Sequence, residues 1–299
     1  MKKWAYGMIA LAAFLWGIIG IFVQALFSLG LSSLQIVSVR VVSAAIILLI
    51  YVYIKDKSLL IIKFKDWYYF IGTGIFSFAF FNWFFFTAIK EINLSMAVIL
   101  LYTAPVFVAI LSRIFLKESF TLRKIVSLLL TFFGITFVIG FFPHIGQIDI
   151  SLFGLLVGIG SGLTYALYSI FGKAALRKYH YLTITTYTFV FASAAILPFS
   201  GLWQIREVFL QFDTWMYTIG LGLFPTSLAV MLYTTGLFYV ESSRAAIIAT
   251  VEPVVGTILG VVMFGDVLTY WQIFGIVVVL FAVIMIQETR KNGSQISDA

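Results

Sequence analysis

Glu252 is the only carboxylate inside a long apolar stretch of this sequence, and Pro253 follows it directly. A charged group near the centre of a membrane helix costs about 2.5–3.5 kcal/mol on insertion scales, so such residues usually have a function. Proline cannot donate a helical hydrogen bond, which leaves a carbonyl free one turn earlier. The pair therefore predicts a polar notch that could bind a proton or a cation. Alternatively, Glu252 hydrogen-bonds to neighbouring helices and holds them in register.

Arg40 is a second charge within an apolar stretch, about two helical turns from its end. Its guanidinium could reach the membrane surface along its flexible stem. It could also bind the carboxylate of a substrate, or pair with Glu252. Arg40 and Glu252 are therefore the candidates for an ion pair or for coupling to an ion.

Polar and aromatic side chains interrupt several other apolar stretches. Asn82 stands within a run of phenylalanines, and an amide inside a membrane helix needs a partner on another helix or on a ligand. Aromatic rings that face a cavity would suit an aromatic, apolar or cationic ligand. The alternative is ordinary packing, because 18% of the chain is Phe, Trp or Tyr. The candidates for the substrate pathway are Trp16, Asn82, Tyr102, Tyr165, Tyr168, Tyr233 and Glu252.

Several kinds of chemistry lack the residues they need. The chain has no cysteine, and its two histidines, His144 and His180, fall between apolar stretches. It contains no phosphate-binding loop, dinucleotide fingerprint or metal-ligand spacing. We therefore expect no catalytic residue, no cofactor and no bound metal, and ATP-driven transport within this chain is not expected.

The amino-acid composition is typical of a chain that is embedded in a lipid bilayer. Of 299 residues, 62% are hydrophobic and 10% are charged, with a mean hydropathy of +1.10. Soluble domains carry about 25% charged residues. A helix needs roughly 20 apolar residues to cross a hydrocarbon core of about 30 Å. Ten stretches qualify, and they predict an all-α membrane protein: 5–27, 34–54, 67–89, 95–116, 125–142, 152–172, 183–202, 215–239, 245–264 and 271–286.

The basic residues alternate between the two sides of these ten predicted spans. Sixteen lie on one side, whereas only Lys90 and Arg206 lie on the other. Since positive charge favours the cytoplasmic side, we predict a multi-pass protein of the plasma (inner) membrane with both termini in the cytoplasm. The sixteen are Lys2, Lys3, Lys55, Lys57, Lys63, Lys65, Arg113, Lys117, Arg123, Lys124, Lys173, Arg177, Lys178, Arg244, Arg290 and Lys291.

The chain also repeats itself. A shift of 148 residues places residues 97–138 on 245–286 without a gap, Pro105 on Pro253, and Glu118 on Asp266. Each repeat holds five spans, and because five is odd the second repeat enters the membrane inverted. The predicted units are residues 1–142, the inverted repeat 143–291 and a short polar tail, 292–299. Inverted repeats are typical of secondary transporters, which bind substrate between the halves near the midplane.

Several short segments carry a resemblance to a known family. They are Phe14-Leu15-Trp16-Gly17, Leu101-Tyr102-Thr103-Ala104-Pro105-Val106-Phe107, Phe115-Leu116-Lys117-Glu118, Val251-Glu252-Pro253-Val254-Val255-Gly256 and Phe264-Gly265-Asp266. Over essentially its whole length the chain resembles the EamA-type drug/metabolite transporter superfamily, although Asp266 stands where glutamate is commoner. The resemblance implies ten helices around a central cavity and alternating access. The family handles amino acids, sugars, nucleotide sugars, quaternary amines and drugs.

These observations favour a secondary active carrier of a small organic metabolite such as an amino acid, an amine or a drug-like compound. A flippase-like mover of a lipid-linked precursor is the alternative within transport. A membrane-embedded enzyme would need convergent polar groups at one membrane face, and a channel would need a continuous polar stripe along several spans. The sequence contains neither.

The expected partners follow from the same features. They are a small-molecule substrate, a coupling proton or cation and the lipid bilayer, with no nucleic acid. Gly154, Gly158 and Gly162 form a row that lets helices approach closely. We expect that row to pack within the monomer, with a homodimer contact as the alternative.

Overall fold

The computed structural model describes residues 2–141 and 151–287, and within these ranges the chain is helical and contains no strand. The predicted all-helical class is confirmed. Residues His144 and Gln147 and the polar tail lie outside the described ranges. The first half contains α1 (Lys2–Gly17), α2 (Ile19–Ser28), α3 (Ser33–Lys55), α4 (Trp67–Ile71), α5 (Phe80–Glu91), α6 (Leu94–Leu101), α7 (Ala104–Phe115) and α8 (Leu122–Val138). The second contains α9 (Leu152–Ala175), α10 (Tyr181–Ile196), α11 (Phe212–Gly222), α12 (Ala229–Tyr239), α13 (Ser242–Ala249), α14 (Val251–Phe264) and α15 (Tyr270–Ile286).

Within the described residues, eight helical stretches are long and apolar enough to cross a bilayer, so this is a multi-pass membrane protein. They are Lys3–Ser28, Ser33–Lys55, Phe64–Glu91, Leu94–Phe115, Leu152–Ala175, Tyr181–Phe199, Phe212–Tyr239 and Ser242–Met263. The remaining two predicted spans correspond to α8 and α15, which are shorter at 17 residues each. These two helices pack along each other.

Two of the eight stretches are interrupted just before a proline, and a third, Lys3–Ser28, is interrupted at Ile18. The break between α6 and α7 falls at Tyr102 and Thr103, and the break between α13 and α14 falls at Thr250. Pro105 and Pro253 have no N–H, so the carbonyls four residues earlier lose their helical hydrogen bonds and the helices end there. The sequence predicted the notch at Pro253 but treated both stretches as single helices.

The helix bounds recur at the spacing found in the sequence. Helices α8 and α15 begin 148 residues apart, at 122 and 270, and also end 148 apart, at 138 and 286. Thr121 and Thr269 cap them in the same way. A π-helical segment, Gly72–Ala79, joins α4 to α5, and a second one, Leu223–Leu228, joins α11 to α12. Sequence reasoning missed both of these segments.

The glycine row of α9 packs within the chain. A methyl group on Gly158 would meet Leu100, and one on Gly162 would meet Thr103 and the backbone of α6. Gly154 faces Ile92 in the same manner. The row therefore lets α9 approach α6 closely, and a homodimer contact stays a prediction.

The contact between α8 and α15 yields a stability prediction. A Cβ on Gly275 would lie 2.6 Å from the carbonyl oxygen of Gly134 and 2.7 Å from the amide nitrogen of Val138. Because both are backbone atoms, no side-chain movement relieves the clash. We expect Gly275→Ala to destabilise the protein by about 1–3 kcal/mol, as overpacking does. The matched control is Gly7→Ala, since nothing lies within 4 Å of that position. Thermal unfolding in detergent checks this, and equal melting temperatures for the two variants would contradict it.

Candidate functional site

A cavity of about 580 Å³ lies among the helices, within the usual range for small-molecule sites. All eight residues singled out from the sequence line it. They are Trp16 in α1, Arg40 in α3, Asn82 in α5, Tyr102 between α6 and α7, Tyr165 and Tyr168 in α9, Tyr233 in α12 and Glu252 in α14. The structure brings them together, and their role in binding a substrate stays a prediction.

Most of the remaining wall is apolar, and sequence reasoning missed it. Phe78, Phe81, Phe85 and Ile89 line the cavity from the same side as Asn82. Their spacing from Asn82 matches one face of a helix, so helical periodicity around that amide could have identified them. The wall therefore suits a ligand with an apolar or aromatic body.

The cavity extends to one end of the helix bundle only. It reaches Phe27 and Ser33 beside the α2–α3 connection, and Ile89 and Leu94 beside the α5–α6 connection. We call this the open end. In the described part of the chain, no residue of the connections at the opposite end (residues 116–121, 176–180 and 240–241) lines the cavity. We call that opposite side the closed end.

Glu252 lies deep in the cavity as the second residue of α14, where the helix dipole favours a negative charge. Among the described residues, none donates a hydrogen bond to its carboxylate or forms an ion pair with it within 4.0 Å. A second cavity of about 20 Å³ adjoins it between the two helix breaks. The alternative that Glu252 ties neighbouring helices together therefore lacks a bonding partner in this structure. Its carboxylate is free to bind a ligand.

Arg40 points into the cavity and is held from two sides. Its Nε donates to Oγ1 of Thr226 at 3.0 Å, and its Cζ lies 5.3 Å from the ring centroid of Phe78. Phe78 and Thr226 belong to the two π-helical segments and are 148 residues apart. Arg40 therefore does not extend to the membrane surface. It interacts electrostatically with Glu252, but the two groups are not in an ion pair within 4.0 Å.

The four tyrosines divide into two pairs. The Tyr168 hydroxyl lies 2.6 Å from Oγ1 of Thr234, and the Tyr233 hydroxyl lies 2.7 Å from Oγ of Ser169. By contrast, the hydroxyls of Tyr102 and Tyr165 have no hydrogen-bond partner within the described ranges. The first pair fixes the cavity wall, whereas the second pair offers donors to a ligand.

Asn82 and Trp16 complete the lining. The Asn82 amide donates from Nδ2 to the carbonyl of Phe78 at 2.7 Å, which satisfies one of its groups within its own helix. The Trp16 ring lies 5.3 Å from that of Tyr233. For the ranges that the structure covers, no group of three or more His, Asp or Glu side chains could hold a metal ion. The ligand contacts available are thus one carboxylate, one guanidinium, two phenols, the side-chain oxygen of Asn82 and several rings.

Charged groups cluster at the closed end. Lys124 is only 1% exposed; its Nζ donates to the Ser119 carbonyl at 2.7 Å and lies 3.2 Å from Glu241. Partial burial works to raise the pKa of Glu241, but hydrogen bonds and charges from Arg244 and Lys124 outweigh it and lower that pKa. Lys173 donates to the carbonyls of Leu237 and Val240. These contacts hold the closed end together.

The connections 56–66 and 176–180 meet at the closed end as well. Lys178 donates to Asp66 at 2.6 Å, and this hydrogen bond raises the pKa of Lys178. The backbone amide of Lys63 donates to the Tyr179 hydroxyl at 3.1 Å. Both connections belong to the set predicted to be cytoplasmic.

Comparison with known proteins identifies the family. The model of the EamA-like transporter family matches residues 3–140 and 152–287. The chain belongs to the EamA-like transporter family. This confirms the resemblance carried by its short segments, and it makes the chain a member of a family of transporters rather than of enzymes.

Relatives of this EamA-family chain bear transporter names too. An uncharacterized transporter of Archaeoglobus fulgidus is 33% identical over 201 residues, which cover 66% of this chain and 68% of the relative. A second uncharacterized transporter from that organism is 28% identical over 291 residues, which cover 97% of this chain and 100% of that relative. The uncharacterized transporter YwfM of Bacillus subtilis is 26% identical over 296 residues, which cover 98% of this chain and 97% of the relative. A solved crystal structure of 16% identity shares the fold, with a TM-score of 0.79 over 95% of this chain and 96% of that one.

Proposed function

We propose that this EamA-family protein is a secondary active carrier that moves a small organic metabolite across the plasma membrane by alternating access. One observation carries the proposal: the cavity of about 580 Å³ reaches the open end, and no described residue of the closed-end connections lines it. A carrier exposes its site to one side at a time, whereas a channel needs a continuous path. The family membership and the relatives' names support a transporter of this kind.

In this proposal the fold consists of ten transmembrane helices in two inverted five-helix repeats. The family model matches two separate parts of the chain, which supports the repeat. The recurrence of α8 in α15 and the paired helix breaks support it too. The short helices α8 and α15 serve as the fifth and tenth spans. At 17 residues each, they would span about 26 Å, which a locally thinned bilayer accommodates.

The proposed orientation places both termini in the cytoplasm and the open end outside. Contacts between connections support it. Lys178 meets Asp66, so two connections predicted to be cytoplasmic lie together. Gln272 donates to the carbonyl of Val138, so the start of α15 meets the end of α8 on the side predicted to be outside.

Single-cysteine labelling on this cysteine-free chain tests the orientation. With an impermeant maleimide added to intact cells, we expect Gly30→Cys and Asp266→Cys to react and Lys63→Cys and Lys178→Cys to stay protected. Residue Gln147, also predicted to lie outside, falls outside the described ranges. Membrane disruption should make the two protected positions reactive. If Lys63→Cys reacts in intact cells, the orientation is wrong.

The lining of the cavity supports a substrate with one cationic group and one anionic group on an apolar or aromatic body. Glu252 would bind the cation and Arg40 the anion, because charge-assisted hydrogen bonds are the strong ones. The rings of Trp16 and Phe81 would cover the body. Amino acids with large apolar side chains fit this description; amines and drug-like cations would use Glu252 and the rings alone.

A thermal-shift screen of the purified protein tests the substrate class. A ligand at 100 times its Kd stabilises the folded state by about 2.7 kcal/mol, which gives a readable shift. We expect amino acids with aromatic or large apolar side chains to raise the melting temperature. Their decarboxylated and N-acetylated analogues should raise it less, since each lacks one charge. Equal shifts from all three forms would contradict the assignment of both charges.

A further inference from the structure

A contact between the two halves holds the closed end shut. The Glu118 carboxylate accepts hydrogen bonds from the Ser242 amide at 2.6 Å, the Ser243 amide at 3.2 Å and the Ser243 hydroxyl at 2.8 Å. Glu118 follows α7, and the two serines begin α13. Free amides and the helix dipole favour a carboxylate at this helix start. We call this contact the closed-end latch.

The latch is reinforced by a buried cation. Lys124 Nζ lies 3.8 Å from Glu118 and 3.2 Å from Glu241, the residue just before α13. Glu241 in turn pairs with Arg244 at 2.6 Å. The positive charge of Lys124 therefore balances the negative charge of Glu118 at a position where both side chains are buried.

The turn that presents this carboxylate also occurs at the open end, 148 residues later. Lys117 adopts a left-handed φ of 60° immediately before Glu118, and Gly265 adopts 75° immediately before Asp266. The amide of Glu118 donates to the carbonyl of Ser112 at 3.2 Å, and that of Asp266 donates to Gly260 at 3.3 Å. A second carboxylate is thus presented by the same backbone turn.

At the open end the corresponding contact is not formed. The residues equivalent to Ser242 and Ser243 are Leu94 and Ser95, which begin α6. In the described structure, the Asp266 carboxylate accepts no hydrogen bond and forms no ion pair; it lies over Gly260. Asn93 caps α6 instead, with a strained φ of 148°, whereas the equivalent Glu241 has a relaxed φ of −66°.

We propose that Asp266 forms an open-end latch with the Leu94 and Ser95 amides when the open end closes, and that the Glu118 latch breaks in exchange. This rests on the alternating access proposed above. Asp266 has one methylene fewer than Glu118, and Gln272 stands where Lys124 would supply the balancing charge. The open-end latch is therefore the weaker of the two, which agrees with the closed end being shut in this structure.

Cysteine pairs test the contacts directly, because the chain has no cysteine of its own. Under mild oxidation in membranes, we expect the pair Glu118→Cys with Ser243→Cys to cross-link. The equivalent pair, Asp266→Cys with Ser95→Cys, should cross-link as well, through the other state. The matched control is Val267→Cys with Ser95→Cys, which has the neighbouring residue on the same turn. If the Asp266 pair cross-links no faster than this control, the open-end latch is wrong.

An accessibility measurement separates failure of the latch from failure of alternating access. Val98→Cys places a reporter at a partly exposed position of the cavity wall, which an impermeant maleimide added from the open end should reach. Replacing the Glu118 charge by Glu118→Gln loses a charge-assisted bond, so the labelling rate should fall by about fivefold as the open end closes more often. Asp266→Asn removes the charge of the open-end latch, so the labelling rate should rise. It should stay unchanged if the open end is already open in every molecule.

The outcomes differ for the two ideas. The latch would be overturned if Glu118→Gln and Asp266→Asn both label at the wild-type rate and the pair Asp266→Cys with Ser95→Cys does not cross-link. If the addition of substrate also leaves the labelling rate unchanged, the proposal of alternating access is contradicted as well. A rate that responds to substrate but to neither variant would overturn the latch alone.

Discussion

Glu252→Gln should abolish concentrative uptake driven by a pH gradient. Exchange of substrate across the membrane should continue at a higher substrate concentration, because the variant also loses the charge that binds the cationic group of the substrate. The substitution keeps the shape of the side chain and removes its charge. In the structure the carboxylate has no bonding partner among the described residues, so its loss breaks no internal hydrogen bond. The defect should therefore lie in coupling rather than in folding.

The physical reason is the change of environment during transport. Glu252 faces the cavity in this state, where water that enters from the open end reaches it. In the occluded state between the two openings, that water is excluded and a charge on the carboxylate becomes more costly. A group whose cost of ionisation differs between the two states takes up a proton in one and releases it in the other. That difference couples a proton to the substrate.

The measurement uses purified protein in liposomes with an imposed pH gradient. We expect accumulation above equilibrium for the wild type and none for Glu252→Gln, with counterflow retained in both when the substrate concentration is saturating for each. Glu207→Gln is the matched control, since Glu207 is exposed and away from the cavity. If Glu252→Gln accumulates substrate with the same pH dependence, the coupling role is wrong. If it is unfolded, as judged by gel filtration, Glu252 is structural.

Arg40→Lys should weaken binding of the substrate by about 10- to 100-fold, the range expected when a hydrogen bond between charged groups is lost. Lysine keeps the charge but cannot donate as a planar fork. It also loses the position that Thr226 and Phe78 give to the guanidinium. The interaction that is lost should be the one with the anionic group of the substrate.

A comparison of two ligands isolates that end. Affinity for an amino acid should fall in Arg40→Lys, whereas affinity for the amine that lacks its carboxylate should stay within about twofold, because that ligand makes no hydrogen bond to Arg40. Arg177→Lys, at an exposed position outside the cavity, is the control for charge-conserving substitution. Equal losses for both ligands would mean that Arg40 supports the cavity wall rather than binding the substrate.

The sequence predicted the polar lining better than the apolar lining. Residues such as Arg40, Asn82 and Glu252 are costly inside an apolar helix, so their presence in the sequence by itself indicates a function. Phe78 and Phe81 give no such signal. Lipid is as apolar as a protein core, so a phenylalanine that faces lipid, another helix or a cavity looks the same in sequence.

Contacts between distant segments were equally hidden. The sequence paired Glu118 with Asp266 by their spacing, but it did not indicate that Glu118 binds the start of α13. The closure of α8 on α15 at Gly134 and Gly275 depends on which helix faces meet, which spacing along one chain does not determine. Helix breaks at the prolines were partly predictable, since their cause is local.

Counterflow in liposomes tests the carrier mechanism most directly. Liposomes containing the Val98→Cys protein are loaded with isotopically labelled small metabolites and placed in a solution of the same metabolites without label. Mass spectrometry then follows which labelled compounds leave. The control is the same preparation after a bulky maleimide has been attached at Val98→Cys, so that it fills the cavity.

The carrier mechanism predicts that one compound or a few related compounds leave by saturable exchange, that an external pool of the same compound speeds their exit, and that the attached maleimide stops it. An exit that neither saturates nor responds to the external pool would indicate a channel. If no compound leaves faster before the cavity is blocked than after, the proposal that this cavity carries a metabolite across the membrane is contradicted.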